Sequence, residues 1–346
     1  ANSDISLIAS GSIAETGSSA ITLTTGSDSI TGGNVLLASD SDNSSNGRID
    51  FRDGFIVNTH GGNITLGGGN SSGSSYAIGD VANNITEGVR FDAALSLNSG
   101  GGNIAIRGKT STTSGLTSGY GNSGFGIYQL TSAASINSGT GTITIEGINQ
   151  TSNDTGYSSG IVLALNNSNT ITITSANETA NAISITAGAT GVNEGNYGME
   201  VDTNSPLTVA ATGAGGGITL NTSQQATSNT RYELVTRSDV SLLANGGAIQ
   251  MLGGQNSGNS NGYWYRSASA YIGSKASSAV TSSSSNITIQ YDRLNWGGGV
   301  SPYIATSGAV EWKPVSNSFG QGVSTSWFNW NQNSQTMSGL TIGKSG

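Results

Sequence analysis

Apolar residues occur along this chain in short bursts that alternate with hydroxyl and amide side chains, as in Ile143-Thr144-Ile145 and Ile171-Thr172-Ile173. A period of two marks a strand with one buried face. The bursts also recur. Gly61-Gly62-Asn63-Ile64-Thr65-Leu66, Gly101-Gly102-Asn103-Ile104-Ala105-Ile106 and Gly141-Thr142-Ile143-Thr144-Ile145 align, followed by Ala182-Ile183-Ser184-Ile185, Gly217-Ile218-Thr219-Leu220, Gly247-Ala248-Ile249 and Asn286-Ile287-Thr288-Ile289. Their first isoleucines, Ile64, Ile104, Ile143, Ile183, Ile218, Ile249 and Ile287, recur at roughly 30 to 40 residues, the period of a solenoid, and form its expected structural core.

Two further bursts precede the glycine strand in each unit, for example Val89-Arg90-Phe91 and Leu95-Ser96-Leu97 before Ile104. Three short strands per unit predict an all-β fold, a parallel β-helix with about three strands per coil. Roughly nine or ten coils are expected at the ~4.8 Å rise of paired strands, three or so of them in the first 60 residues. The rest of each unit is a Gly, Ser and Asn-rich insertion after the glycine strand, at 107–124, 148–160, 186–197, 221–230 and 253–262. Equal phase places these loop insertions on one face. The repeat carries residues 1–290. Residues 291–346 form an aromatic-rich C-terminal β segment that caps the solenoid, makes an interface with a neighbour, or continues the stack.

The residue types suit such a coil. Inward Ile, Leu and Val stack on their equivalents above and below, while Thr fits an outward pleated surface. Glycine supplies positive-φ corners. Asn63, Asn103, Asn169 and Asn286, at or near corners, are expected to tolerate the left-handed region and to form a hydrogen-bonded ladder between coils.

Composition removes whole classes of function. The chain has 346 residues, 12 Lys plus Arg against 20 Asp plus Glu, and a net charge of −8, so a phosphate-binding surface has little to be built from and nucleic acid is excluded as a partner. Cysteine is absent, which removes disulfides and thiolate metal sites. No apolar run approaches the ~20 residues of a membrane helix, so membrane insertion is not expected.

Asn34-Val35-Leu36-Leu37-Ala38-Ser39-Asp40, the run Gly61 to Gly69 and the closing Gly339-Leu340-Thr341-Ile342-Gly343 resemble the repeats of filamentous-haemagglutinin-like exoproteins of the two-partner-secretion type. The resemblance implies a right-handed parallel β-helix, secretion to the extracellular space or the bacterial cell surface, and an adhesive fibre. It carries over no catalytic residue.

Three candidate sites stand out. Asp40, Asp42 and Asp50 bracket a polar turn that could offer oxygen ligands to Ca²⁺, against the plainer reading of a solvated turn; no other cofactor is expected. The pair Asp50 and Asp53 beside Arg48 and Arg52 reads as a solvated charge cluster, and His60, the only histidine, precedes a glycine corner. Acidic residues fall in different phases of the repeat, unlike the paired carboxylates of polysaccharide-cleaving β-helices, so no enzyme is expected. All five tryptophans, Trp264, Trp296, Trp312, Trp327 and Trp330, lie in the last quarter, as a sugar platform or as rings covering the end of the stack or an interface. The expected function is a structural and adhesive fibre segment. A filament or sheath subunit joined head to tail is the alternative, and a carbohydrate-binding or carbohydrate-active β-helix the third. Expected partners are other copies of the chain, further repeats of a parent chain, or cell-surface glycans and proteins.

Overall fold

The computed structural model describes residues 3–27, 31–80, 83, 85–112, 124–129, 133–150, 158–163, 169–189, 196–202, 205–222, 232–253, 261–265, 269–296, 301–320, 322–330 and 334–343. Over these residues the chain is a parallel β-helix with three strands per coil. Each coil visits three sheets in turn, here called the first, second and third walls. Among the described residues the first wall holds 12 strands and the other two hold 9 each, giving nine complete coils. Every pairing between named strands is parallel, from Ile5–Ile8 on Val35–Ser39 to Ala309–Lys313 on Gly339–Ile342. Two complete coils, not three, occupy the first 60 residues, because long connections at 25–34 and 40–48 take up chain between the strands.

Register explains the core. In the first wall one inward column runs Ile5, Val35, Ile64, Ile104, Ile143, Ile183, Ile218, Ile249, Ile287, Val310 and Leu340. Two residues along runs a second, from Leu7 through Leu66, Ile106, Leu220 and Met251 to Trp312 and Ile342. The seven repeat isoleucines of the first column are at most 1% exposed. Such stacking keeps each branched side chain against its own kind one coil away, and Phe51 has Phe91 of the next coil as its register partner, the rings 6.3 Å apart, while Phe55 of its own coil stacks on it at 4.0 Å.

Corners are built from three devices. Gly61 and Gly101 take φ of 113° and 137°, the turn that only glycine makes without strain. The glycine after each has a different duty: a Cβ on Gly62 would lie 2.1 Å from the Gly33 carbonyl oxygen, and one on Gly102 would lie 2.2 Å from that of Gly62. Here the backbones of successive coils touch. Beside them the Asn34 side chain accepts the Asn63 N–H at 2.8 Å, Asn63 accepts that of Asn103 at 2.7 Å, and Asn103 accepts that of Thr142 at 2.8 Å. The ladder expected from the asparagines is thus side chain to backbone. Asn63, Asn103, Asn169 and Asn286 do not take positive φ; the preceding glycines supply it in the first two cases.

The third device is buried. Thr59, Ser99, Ser138 and Ser175, all fully buried, follow or end the third-wall strands and stand one above another. Ser99 Oγ donates to the Gly102 carbonyl at 2.5 Å in its own coil, with the Ser138 carbonyl of the next coil 3.1 Å away. These hydroxyls satisfy carbonyls that the turn leaves without strand partners.

Sheet structure does not stop where the isoleucine repeat fades. Leu294–Trp296, Tyr303–Ala305 and Ala309–Lys313 extend all three walls beyond residue 290. Beyond them Phe328 is buried in the core cluster, and Phe319, Trp327, Trp330 and Met337 pack partly buried against it.

Candidate functional site

The walls differ in what they turn outward. On the third wall, strands from Ile21–Thr24 to Leu207–Ala211 point apolar residues in and Thr22, Thr24, Ile56, Asn58, Ser96, Asn98, Ser135, Asn137, Thr172, Thr174 and Thr208 out. None is charged. The second wall is the opposite: its outward positions hold two ionic clusters with an apolar patch between them.

The first cluster lies on the second and third coils. Asp50 is 1% exposed on the strand Ile49–Phe51, and Arg90 is its register partner on Val89–Phe91. Arg48 Nε reaches Asp50 Oδ2 at 3.2 Å and its Nη1 reaches Asp80 Oδ2 at 2.9 Å. Arg52 adds a contact to Asp50 at 2.9 Å, and Arg90 grips Asp92 with two bonds of 2.7 Å. Burial pushes the Asp80 carboxyl up, but hydrogen bonds from Ser12 and Asn83 and the charge of Arg48 outweigh it and leave Asp80 below its ordinary range. Glu87 goes the other way. Burial raises its pKa despite the nearby Arg90 charge and a hydrogen bond from its own backbone N–H.

The expectation of a solvated charge cluster at Asp50 and Asp53 beside Arg48 and Arg52 is therefore corrected for Arg48 and Asp50, which are buried, while Asp53 is exposed. Asp80, which pairs with Arg48, and Glu87, whose charge is felt by Arg90 and Asp50, both come from the connection that precedes the third coil's second-wall strand. Arg52 stays half exposed.

The second cluster lies four coils from Asp50. Arg237 Nη1 bridges Glu200 Oε1 at 2.5 Å and Asp202 Oδ1 at 3.1 Å, and the guanidinium stands 5.9 Å from the Tyr197 ring centroid. Glu200 and Asp202 lie two residues apart and so on the same side of the chain. Burial, with the Asp202 charge adding to it, raises the Glu200 pKa to about 7 even though Arg237 opposes the shift. Between the clusters Phe125, Tyr128 and Val162 form a separate buried apolar group, the Phe125 and Tyr128 rings stacked at 4.9 Å. Near the far end, the buried Tyr291 hydroxyl pairs with Thr222 Oγ1 at 2.9 Å, reaching two coils down past Gly253.

Chemically, these are compensated carboxylates. The arginines neutralise the aspartates they touch, and Glu200 is the acid placed to exchange a proton near neutrality.

The sequence-predicted residues separate. Asp40 is fully buried at φ 49° and accepts from Ser44 Oγ at 2.7 Å and from the Ser45 and Asn46 N–H groups; Asp42 is exposed on the turn; Asp50 faces arginines. Among the described residues no group of three or more His, Cys, Asp or Glu side chains could hold a metal ion, so the calcium candidate is not assembled, Asp40 and Asp50 being engaged with different partners. Trp312 is 1% exposed at the end of an inward column, 5.0 Å from the Phe319 ring, 5.6 Å from Trp327 and 5.5 Å from Phe328, while Trp330 lies 4.8 Å from Phe328. Trp264 and Trp296 sit on second-wall strands, in register with Val235 and Tyr265, and their side chains lie outside the described residues. At least half of each expected insertion also lies outside them; each joins a first-wall strand to the next second-wall strand. Comparison with family profiles, with curated proteins and with solved structures returns no match.

Proposed function

We propose that this chain is a stiff segment of an extracellular bacterial surface fibre, structural and adhesive, and not an enzyme. The observation that carries the reading is the unbroken stack of nine coils, tied from coil to coil by the asparagine and hydroxyl ladders. Tension along such a rod is shared by hydrogen bonds in three sheets, and the insertions at one corner offer variable contact surface. Purified chain should image as a rod on the order of 45 Å long and, coupled to beads, should retain them on host cells or on cell-surface glycans. Retention no better than that of uncoated beads would sink the adhesive part, and rapid proteolysis inside the coils the structural part.

The uncharged third wall favours a second reading, in which the rod binds a neutral polysaccharide. Hydroxyls and carboxamides recurring every coil can meet sugar hydroxyls without desolvating a charge. Binding of charged glycans only, on a glycan array, would count against it.

A further inference from the structure

We propose that this chain carries a site of spontaneous covalent modification at Asn245, whose carboxamide condenses with the Gly246 backbone nitrogen and is converted slowly to aspartate and isoaspartate. Three asparagines of the chain are followed by glycine: Asn46, Asn245 and Asn261. Glycine hinders this cyclisation least, because it sets no side chain beside the attacking nitrogen and turns freely about its backbone. By sequence the three are equal, and the fold separates them.

At Asn46 the nucleophile is occupied. Gly47 N–H donates to the Ile78 carbonyl at 3.0 Å, and Ile78 N–H returns a bond of 2.9 Å to the Gly47 carbonyl. Asn261 and the buried Gly262 open the strand Asn261–Tyr265, which is paired on both sides, with Tyr232–Thr236 and with Leu294–Trp296. A Cβ on Gly262 would lie 2.7 Å from the Tyr291 side chain, so this backbone has no room to rotate.

Asn245 stands differently. It follows the third-wall strand Val240–Ala244 at an exposed corner, and Gly246, also exposed, takes φ of 94°. Among the described residues the Gly246 N–H has no hydrogen-bond acceptor, although the groups around it are bonded: Asn245 N–H donates to the Ala211 carbonyl at 2.9 Å, and the Asn245 carbonyl accepts from Gly215 N–H at 2.8 Å. The carboxamide is held by one exposed bond, Nδ2 donating to the Thr212 carbonyl at 3.0 Å.

The step balances with water alone. The Gly246 nitrogen gives its proton to hydroxide and attacks Asn245 Cγ; the Cγ–Nδ2 bond breaks, and ammonia leaves with a proton from water. Water then opens the five-membered imide. Attack at Cγ gives aspartate, and attack at the backbone carbonyl carbon gives isoaspartate. Either product adds one negative charge. Isoaspartate also lengthens the main chain by a methylene beside Gly247, where a Cβ would lie 2.3 Å from the Gly215 carbonyl oxygen of the preceding coil. The modified corner should therefore lose hydrogen-exchange protection at the Gly215 amide.

The proposal stands on backbone geometry, independent of what the rod binds. Peptide mapping by mass spectrometry tests it, on chain held folded in mildly alkaline buffer and on chain unfolded in guanidinium. The quantity read is the folded-to-unfolded conversion rate at each asparagine. It should be near one at Asn245 and lower by about tenfold or more at Asn46 and Asn261, which must first open locally. Asn245→Gln, whose longer side chain closes a less favourable ring, should remove the fast conversion from the folded chain. A ratio at Asn245 as low as at the other two overturns the proposal, as does Asn46 or Asn261 keeping pace with Asn245 in the folded chain.

Discussion

Asn63 Oδ1 accepts the backbone N–H of Asn103, its counterpart one coil above, at 2.7 Å. The donor belongs to a corner residue just before a strand, where no sheet partner is in line, so the carboxamide supplies the missing acceptor. Asn63→Ala should cost about 1 kcal/mol, the usual net value of one such bond. Asn63→Asp should cost less, because Asp4 already serves Asn34 in this way at 2.7 Å. Hydrogen exchange at the Asn103 amide reads the effect locally, which suits a stack whose coils need not unfold as one unit. Equal protection in the alanine variant would contradict the ladder.

Glu200 sets a pH dependence whose sign follows from its raised pKa. Its folded value of about 7 lies above the ordinary 4.5, so the folded chain holds this proton more tightly than the unfolded chain. The resulting stability is complete below about pH 4.5 and is lost as pH rises through 7, at up to ~1.4 kcal/mol per unit. Glu87, also raised, adds in the same direction. Asp80, lowered, acts the other way, its stabilisation fading only as pH falls below its ordinary 3.8. Denaturant midpoints measured from pH 5 to 8 should fall, and Glu200→Gln should flatten the slope.

Gly102 tests the contact between coils. Its Cβ would lie 2.2 Å from one backbone oxygen and 2.4 Å from a backbone carbon, atoms that cannot step aside without parting the coils. Gly102→Ala should therefore destabilise by about 3 kcal/mol or more, at the upper end of overpacking costs. Gly11→Ala, with nothing within 4 Å, is the matched control and should leave the melting temperature unchanged.

A small apolar cavity of about 30 Å³ lies between Phe91, Leu95, Ala134, Ile136 and Ile171. At ~24 cal/mol per Å³ its removal is worth about 0.7 kcal/mol. Ala134→Val should raise the denaturant midpoint by that order, and a drop would mean that the surrounding walls cannot accept the extra methyl groups.

The wall-forming strands were legible because isoleucine at a fixed phase has no other use in so polar a chain. Ile64, Ile104 and Ile143 gave the first wall, and the bursts at Val89 and Leu95 gave the other two. Thr59, Ser99 and Ser138 were not legible. In a chain this rich in hydroxyls a buried serine is spelled like a surface one, and only its constant place after the third-wall strand distinguishes it. The buried charges were hidden for another reason: Arg48 and Asp50 alternate as an exposed strand would, and Asp80, which pairs with Arg48, comes from a connection whose path no periodicity records. Tyr291 and Trp312 keep the register of columns otherwise filled by smaller residues, so the coil persists after its isoleucine signature has gone.

The two inward columns of the first wall have a consequence for how such a molecule changes over generations. Since Ile64 meets Ile104 as Ile104 meets Ile143, removal of residues 104–142 would bring Ile64 against Ile143 with no new kind of contact. Length is then a variable that duplication or loss of a coil can reset, leaving the surfaces at either end as they were. Such a rod can act as an adjustable spacer, setting how far whatever it carries stands from whatever it is anchored to.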